Sequence, residues 1–140
     1  MTAPAITLDS PVSAVTHREL VNVFGTETLR HASELMADGE VGALLVRRGT
    51  HAVGIITERD VVLALADGAD VDDTRVQDVM SEDLAGVMAD FPLRAAVERM
   101  ANHGIRHLIV RSEGRIVGIV SARDILRVLR SVTETASATR

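Results

Sequence analysis

Apolar positions along this chain switch between two periods, and the switching predicts its elements. Over residues 27–38, Leu29, Ala32, Leu35 and Met36 keep helical spacing, which predicts an amphipathic helix that Gly39 is placed to end. Residues 41–46 form an aliphatic strand, Arg47-Arg48-Gly49-Thr50 a hairpin turn, and residues 51–56 the returning strand. Thr57 then caps a second helix that ends near Gly68, and a short strand at 20–24 precedes the whole set. The order is strand, helix, strand, strand, helix.

The pattern then repeats 64 positions later. A strand at 84–88 leads to a helix opened by Phe91-Pro92-Leu93, with Pro92 in its first turn. Leu93, Ala96, Val97 and Met100 form its core face, and Asn102-His103-Gly104 ends it. A hairpin at 105–111 and 115–120 and a helix from 122 to about 133 complete the second copy. Residues 12–65 and 76–129, laid over each other without a gap, agree at about a third of positions. Units are therefore expected at 12–68 and 76–133, joined by an acidic linker at 69–75, with flexible ends at 1–11 and 134–140. The predicted fold is α+β: two β-α-β-β-α units about a pseudo-two-fold axis. Each is too small to stand alone comfortably, so the two are expected to pack sheet to sheet around a shared cleft.

Composition narrows the function. Aromatic residues are limited to Phe24 and Phe91, so base stacking, the usual means of holding single-stranded nucleic acid, is not available. A net charge of −5 argues against a nucleic-acid polymer or an anionic membrane as partner. With no cysteine there is no disulfide framework, thiol catalysis or Cys-based zinc site. Residues 1–11 lack the basic cluster and apolar core of a secretory signal, and no apolar run approaches a membrane span, so a cytoplasmic protein is expected.

The candidate chemistry is duplicated. Gly54-Ile55-Ile56-Thr57-Glu58-Arg59-Asp60 returns as Gly118-Ile119-Val120-Ser121-Ala122-Arg123-Asp124. In each, a buried strand runs into a helix N-terminus with a hydroxyl residue and, three positions on, an aspartate. Such a turn presents backbone N–H groups, the positive end of a helix dipole and two side chains suited to a polyol. The same spacing is also that of a helix capping box, and one hydroxyl can serve both roles.

Together with Gln-Asp-Val-Met at 77–80 and Ile-Arg-His-Leu-Ile-Val at 105–110, these motifs make residues 12 to 131 resemble a tandem pair of cystathionine-β-synthase (CBS) domains, or Bateman module. The resemblance implies a regulatory module that binds an adenine nucleoside or nucleotide (AMP, ADP, ATP or S-adenosylmethionine) in the cleft. Ribose would meet Thr57 and Asp60 in one unit and Ser121 and Asp124 in the other. Adenine would lie among Val41, Ala43, Ile105 and Val53 or Val117, and phosphates would meet Arg106 and His107. It further implies a homodimer built through exposed helices, and a separate protein effector. The first unit departs from the pattern: Gly42 and Ala43 stand where the second has Arg106 and His107, and Thr16 where the second has Met80. Unequal sites are expected, with one occupied. The alternative is a ligand-free structural or interaction module whose pocket has decayed.

Other readings are weaker. Arg59 and Arg123, in first helical turns, read as surface or salt-bridge residues. Asp67, Asp70, Asp72 and Asp73 lack the glycine and distal glutamate of an EF-hand. His103 and His107 are separated by the helix-breaking Gly104, so no metal site is expected. No nucleophile–base–orienter set and no Walker-type loop is present, so neither catalysis nor a cofactor is expected.

Overall fold

The computed structural model describes residues 5–16 and 20–138, those beyond 130 as backbone only. The chain divides into two compact units. The first unit spans Leu20–Leu84; the second combines residues 85–138 with the described residues of the chain's head, 5–16. Among the described residues, no helix is long and apolar enough to cross a membrane.

In the first unit, β1 (Asn22–Phe24) leads through α1 (Leu29–Gly39) to the hairpin β2 (Ala43–Arg48) and β3 (His51–Thr57), then α2 (Glu58–Ala66). The sheet order is β1-β2-β3: β1 pairs parallel with β2, the crossover being α1, and β2 pairs antiparallel with β3. Helix α1 buries Leu29, Ala32 and Met36 against Leu44, Val46 and Ile56 of the sheet. The second unit repeats this with β4 (Gly86–Met88), α3 (Leu93–His103), β5 (His107–Ser112), β6 (Arg115–Ser121) and α4 (Ala122–Ala138). Its core joins Leu93, Ala96 and Met100 to Leu108, Val110, Val120 and Ile125.

Packing units and sequence repeats do not coincide. The 3-10 turn Val12–Ala14 heads the first repeat, yet Val12 is fully buried among Val87, Leu93 and Val110 of the second unit. Its counterpart, the turn Val76–Asp78, buries Val76 in the first unit beside Leu29 and Val46. Backbone bonds follow suit: Val12 N–H donates to Phe91 O at 2.8 Å, and Val76 N–H to Glu27 O at 2.9 Å. Each unit is thus completed by the leading segment of the other repeat.

The segments ahead of those turns are docked too, for a definite reason. A helix N-terminus leaves N–H donors unpaired. In α1, Leu29 N–H donates to Thr74 O, Arg30 N–H to Val71 O and His31 N–H to the Thr28 hydroxyl. In α3, Leu93 N–H donates to Ser10 O and Arg94 N–H to Leu8 O. The acidic linker is therefore a capping segment for α1, reinforced by a bidentate Arg30–Asp72 pair (Nη2 to Oδ2, 3.0 Å). Residues 5–11, expected to belong to a flexible end, instead cap α3 and place Ile6 and Leu8 against the second core.

Three further expectations are corrected. Gly39 is the last helical residue of α1, and Glu40 adopts the left-handed conformation at φ 52°, matching Gly104 at φ 63° after α3. Pro92 is the N-cap of α3 rather than part of its first turn, since its fixed φ suits the extended residue there. Helix α4 continues to Ala138, beyond the end expected near residue 133, so residues 134–138 are helical backbone rather than a frayed end.

Candidate functional site: two hydroxyl–aspartate turns

Thr57 closes β3 and caps α2. Its N–H donates to Asp60 Oδ2 at 2.8 Å, its hydroxyl donates to the same oxygen at 3.0 Å, and it accepts Asp60 N–H at 3.3 Å. This is a full capping box, with the shorter aspartate reaching where glutamate is usual. In the second unit, Ser121 N–H donates to Asp124 Oδ2 and the Ser121 hydroxyl accepts Asp124 N–H, both at 3.1 Å. Asp124 is 8% exposed, the one buried charged side chain among the described residues, whereas Asp60 is half-buried. Burial of a carboxylate calls for such donors, because an unpaired charge there is costly.

The residues just ahead of β2 and β5 are tied to these turns. Glu58 N–H donates to Gly42 O at 3.0 Å, and Ala122 N–H to Arg106 O at 2.8 Å. Strand register sets Ala43 opposite Thr57 and His107 opposite Ser121, the separation at which cross-strand side chains meet. Val41 and Ile105 are half-buried, their N–H groups bonded to Met36 O and Met100 O. Local folding therefore gathers Val41, Ala43, Thr57 and Asp60 in the first unit, and Ile105, Arg106, His107, Ser121 and Asp124 in the second. Val53 and Val117 are not at this end. Each lies four residues up its strand, about 13 Å from the hydroxyl residue.

The two ends differ chemically. In the second unit Arg106 is exposed and His107 half-buried beside Ser121; in the first, Gly42 is half-buried and Ala43 buried. A hollow of about 440 Å³ adjoins Asp60, lined by Leu63, Ala64, Asp67 and Asp78 among others. Its three carboxylates disfavour an anion. A smaller crevice of about 120 Å³ lies by Phe24, Arg47, Val53 and Met80.

Gly54, which opens the first motif, is held to glycine by a close approach. A Cβ built there would lie 2.6 Å from Ser81 O and 2.7 Å from Met80 Sδ. The closeness is needed because Ile55 and Ser81 exchange both backbone hydrogen bonds at 2.9 Å. Glycine in a strand interior, here between Val53 and Ile55, is the signal that announces such an approach.

The CBS domain family model matches residues 12–67 and again 76–131. The chain belongs to the CBS domain family. It is 38% identical over 123 residues to an uncharacterised 17.7 kDa protein of Acidianus ambivalens, covering 86% of this chain and 74% of that one. Relatives from Methanopyrus kandleri and Methanocaldococcus jannaschii are longer, and the chain spans 61% and 44% of them. Among solved structures, a conserved protein of Pyrococcus horikoshii is similar with a TM-score of 0.83 at 28% identity, over 89% of this chain and 96% of that one. The CBS domain pair of protein MJ0100, solved with 5′-methylthioadenosine and S-adenosyl-L-methionine, shares the fold at a TM-score of 0.77 and 21% identity, over 86% and 99% of the two chains. The CBS matches begin at residues 12 and 76, so the head segments 12–16 and 76–79 count as CBS sequence even though each packs into the core built by the other repeat.

Proposed function

We propose that this CBS pair is a non-catalytic regulatory module that binds an adenine nucleoside or nucleotide and signals to a separate protein. The carrying observation is the Ser121–Asp124 turn with His107 opposite it and Arg106 one residue earlier. The cap holds hydroxyl and carboxylate in one arrangement before any ligand arrives, which lowers the ordering cost of binding a ribose diol. Arg106 and His107 supply the donors that a phosphate requires. The adenine would rest on aliphatic surface, Ile105 included. The MJ0100 pair, which shares the fold, was solved with two adenosine-derived ligands, and this supports the ligand class.

A ligand-free first unit is the second reading for that half. Thr57 and Asp60 satisfy one another, Gly42 and Ala43 bring no polar side chain, and the adjoining hollow is acidic.

Calorimetric titration of nucleotide-stripped protein with AMP, ADP, ATP and S-adenosylmethionine tests both readings. The expected result is binding of at least one compound, weakened at least about tenfold by Asp124→Asn and by Arg106→Ala but little changed by Asp60→Asn. Arg106 is exposed, so its variant should keep the wild-type melting temperature. Failure of all four compounds to bind folded protein would leave the turns as helix caps alone.

A further inference from the structure

Residues 20–84 hold thirteen acidic residues and five arginines, net −8, yet three of those arginines gather at one end of the first unit without a carboxylate partner. Arg30 pairs with Asp72, whereas Arg47, Arg48 and Arg75 form no ion pair among the described residues. Arg47 and Arg48 end β2 and line the crevice of about 120 Å³ beside Phe24. Arg75 Nη1 donates to the carbonyl of Thr26, another lining residue, at 3.3 Å. The Arg47 guanidinium is held in place: Nε donates to Asn22 Oδ1 at 2.8 Å and Nη1 to Thr50 O at 3.3 Å. Those bonds use two of the five N–H groups a guanidinium carries, about half its donors. Arg48, the Thr26 hydroxyl and the Gln77 amide group are exposed and make no hydrogen bond among the described residues. Among the described residues, no carboxylate lines the crevice. Its volume has room for about four waters, enough for a phosphate group.

We propose that this crevice binds the phosphate group of a small phosphate monoester. Arg47, already oriented, and Arg48 supply charge-assisted donors that match phosphate oxygens. Thr26 and Gln77 add neutral donors, while Phe24, 53% exposed, and Val53 receive the organic part of the ester. Arginine charges without a counter-charge favour the doubly charged phosphate monoester over a carboxylate. The second repeat is an internal control. At positions 64 residues apart, Asp90 stands for Thr26, Ser112 for Arg48, Glu113 for Gly49 and Pro11 for Arg75. The correspondence holds in space as well, since Pro11 bridges to Pro92 as Arg75 does to Thr28. Arg111 is left there with two carboxylates, and their charge disfavours an anion. The crevice is separate from the hydroxyl–aspartate turns: Arg47 lies four residues along β2 from Ala43, about 13 Å. It therefore does not rest on the nucleotide reading.

Calorimetric titration of the full-length, nucleotide-stripped protein in phosphate-free buffer tests this with phenyl phosphate, inorganic phosphate and benzoate. Phenyl phosphate is expected to bind at a single site with a dissociation constant below about 1 mM. It should bind several-fold more tightly than inorganic phosphate and about tenfold or more above benzoate. Arg48→Ala should weaken phenyl phosphate about tenfold or more, and Arg48→Lys less, because lysine keeps the charge but not the planar fork. Thr26→Asp should abolish binding by placing a carboxylate in the crevice. Both positions are exposed, so both variants should keep the wild-type melting temperature. Phenyl phosphate should shift the amide signals of residues 24–26 and 47–49 rather than those of 121–124. The proposal is overturned by no saturable binding below about 10 mM, or by inorganic phosphate or benzoate binding as tightly as phenyl phosphate. Affinity unchanged in Arg48→Ala and Thr26→Asp, or shifts centred on 121–124, would overturn it equally.

Discussion

The amide of Val12 donates to the carbonyl of Phe91 at 2.8 Å, across 79 positions of sequence, and so fastens the head of one repeat into the core built by the other. Val76 and Glu27 do the same in the opposite sense at 2.9 Å. Both valines are fully buried. Val12→Ala and Val76→Ala are each expected to cost about 1.5–3 kcal/mol, measured by urea denaturation. A fragment comprising residues 20–84 should fold more cooperatively than one cut at 12–67, because only the longer fragment keeps Val76 and the cap on α1. Equal circular dichroism and melting for the two fragments would count against the exchanged heads.

Gly54 and Gly49 are constrained by different physics. At Gly54 a methyl group meets the Ser81 carbonyl and the Met80 sulfur, so Gly54→Ala should push that segment off β3 and cost about 1–3 kcal/mol. At Gly49 nothing lies within 4 Å, but φ is +60°, so Gly49→Ala should cost about 1–2 kcal/mol through backbone strain alone. Hydrogen exchange separates them: Ile55 and Ser81 amides should lose protection only in Gly54→Ala.

The hydroxyls at the two turns carry a stability component apart from any ligand. Thr57→Ala and Ser121→Ala each leave a first-turn N–H without its acceptor and should lower stability by about 1 kcal/mol in ligand-free protein. Unchanged stability in both would mean that the caps contribute nothing and that ligand binding alone accounts for the motif.

Arg30 holds the Asp72 carboxyl below its ordinary value of 3.8, chiefly by hydrogen bonding. A carboxyl depressed on folding stabilises the native state fully above 3.8, and that contribution disappears as pH falls through the lower folded value. Both side chains are largely exposed, so solvent screens the pair and the effect should be small. Denaturation midpoints of wild type and Asp72→Asn should differ at neutral pH and converge in acid. A difference that persists at the lowest pH would place the role of Asp72 elsewhere.

Much of the fold was legible because local pattern and fold agree. Leu29, Ala32 and Met36 at helical spacing, and the aliphatic run at 43–46, could bury their apolar sides in only one way, and the 64-residue offset exposed the duplication. The candidate site was legible for the same reason: its residues sit at the ends of adjacent elements, so strand register brings Ala43 to Thr57 and His107 to Ser121. Glu40 was missed because glycine is the usual left-handed cap, and a neighbouring Gly39 drew the assignment one residue early.

By itself the sequence determined the element order, the repeat, the capping turns and the inequality between Gly42-Ala43 and Arg106-His107. All of these follow from spacing within a few residues or from direct comparison of the copies. Only the tertiary structure decided that Val12 and Val76 change places, that residues 5–11 and the acidic linker cap α3 and α1, and that Gly54 admits the Met80–Ser81 segment. Both heads bury a valine and both cores are aliphatic, so local pattern cannot say which head fills which; that choice is settled by where the chain's path lets each buried valine reach.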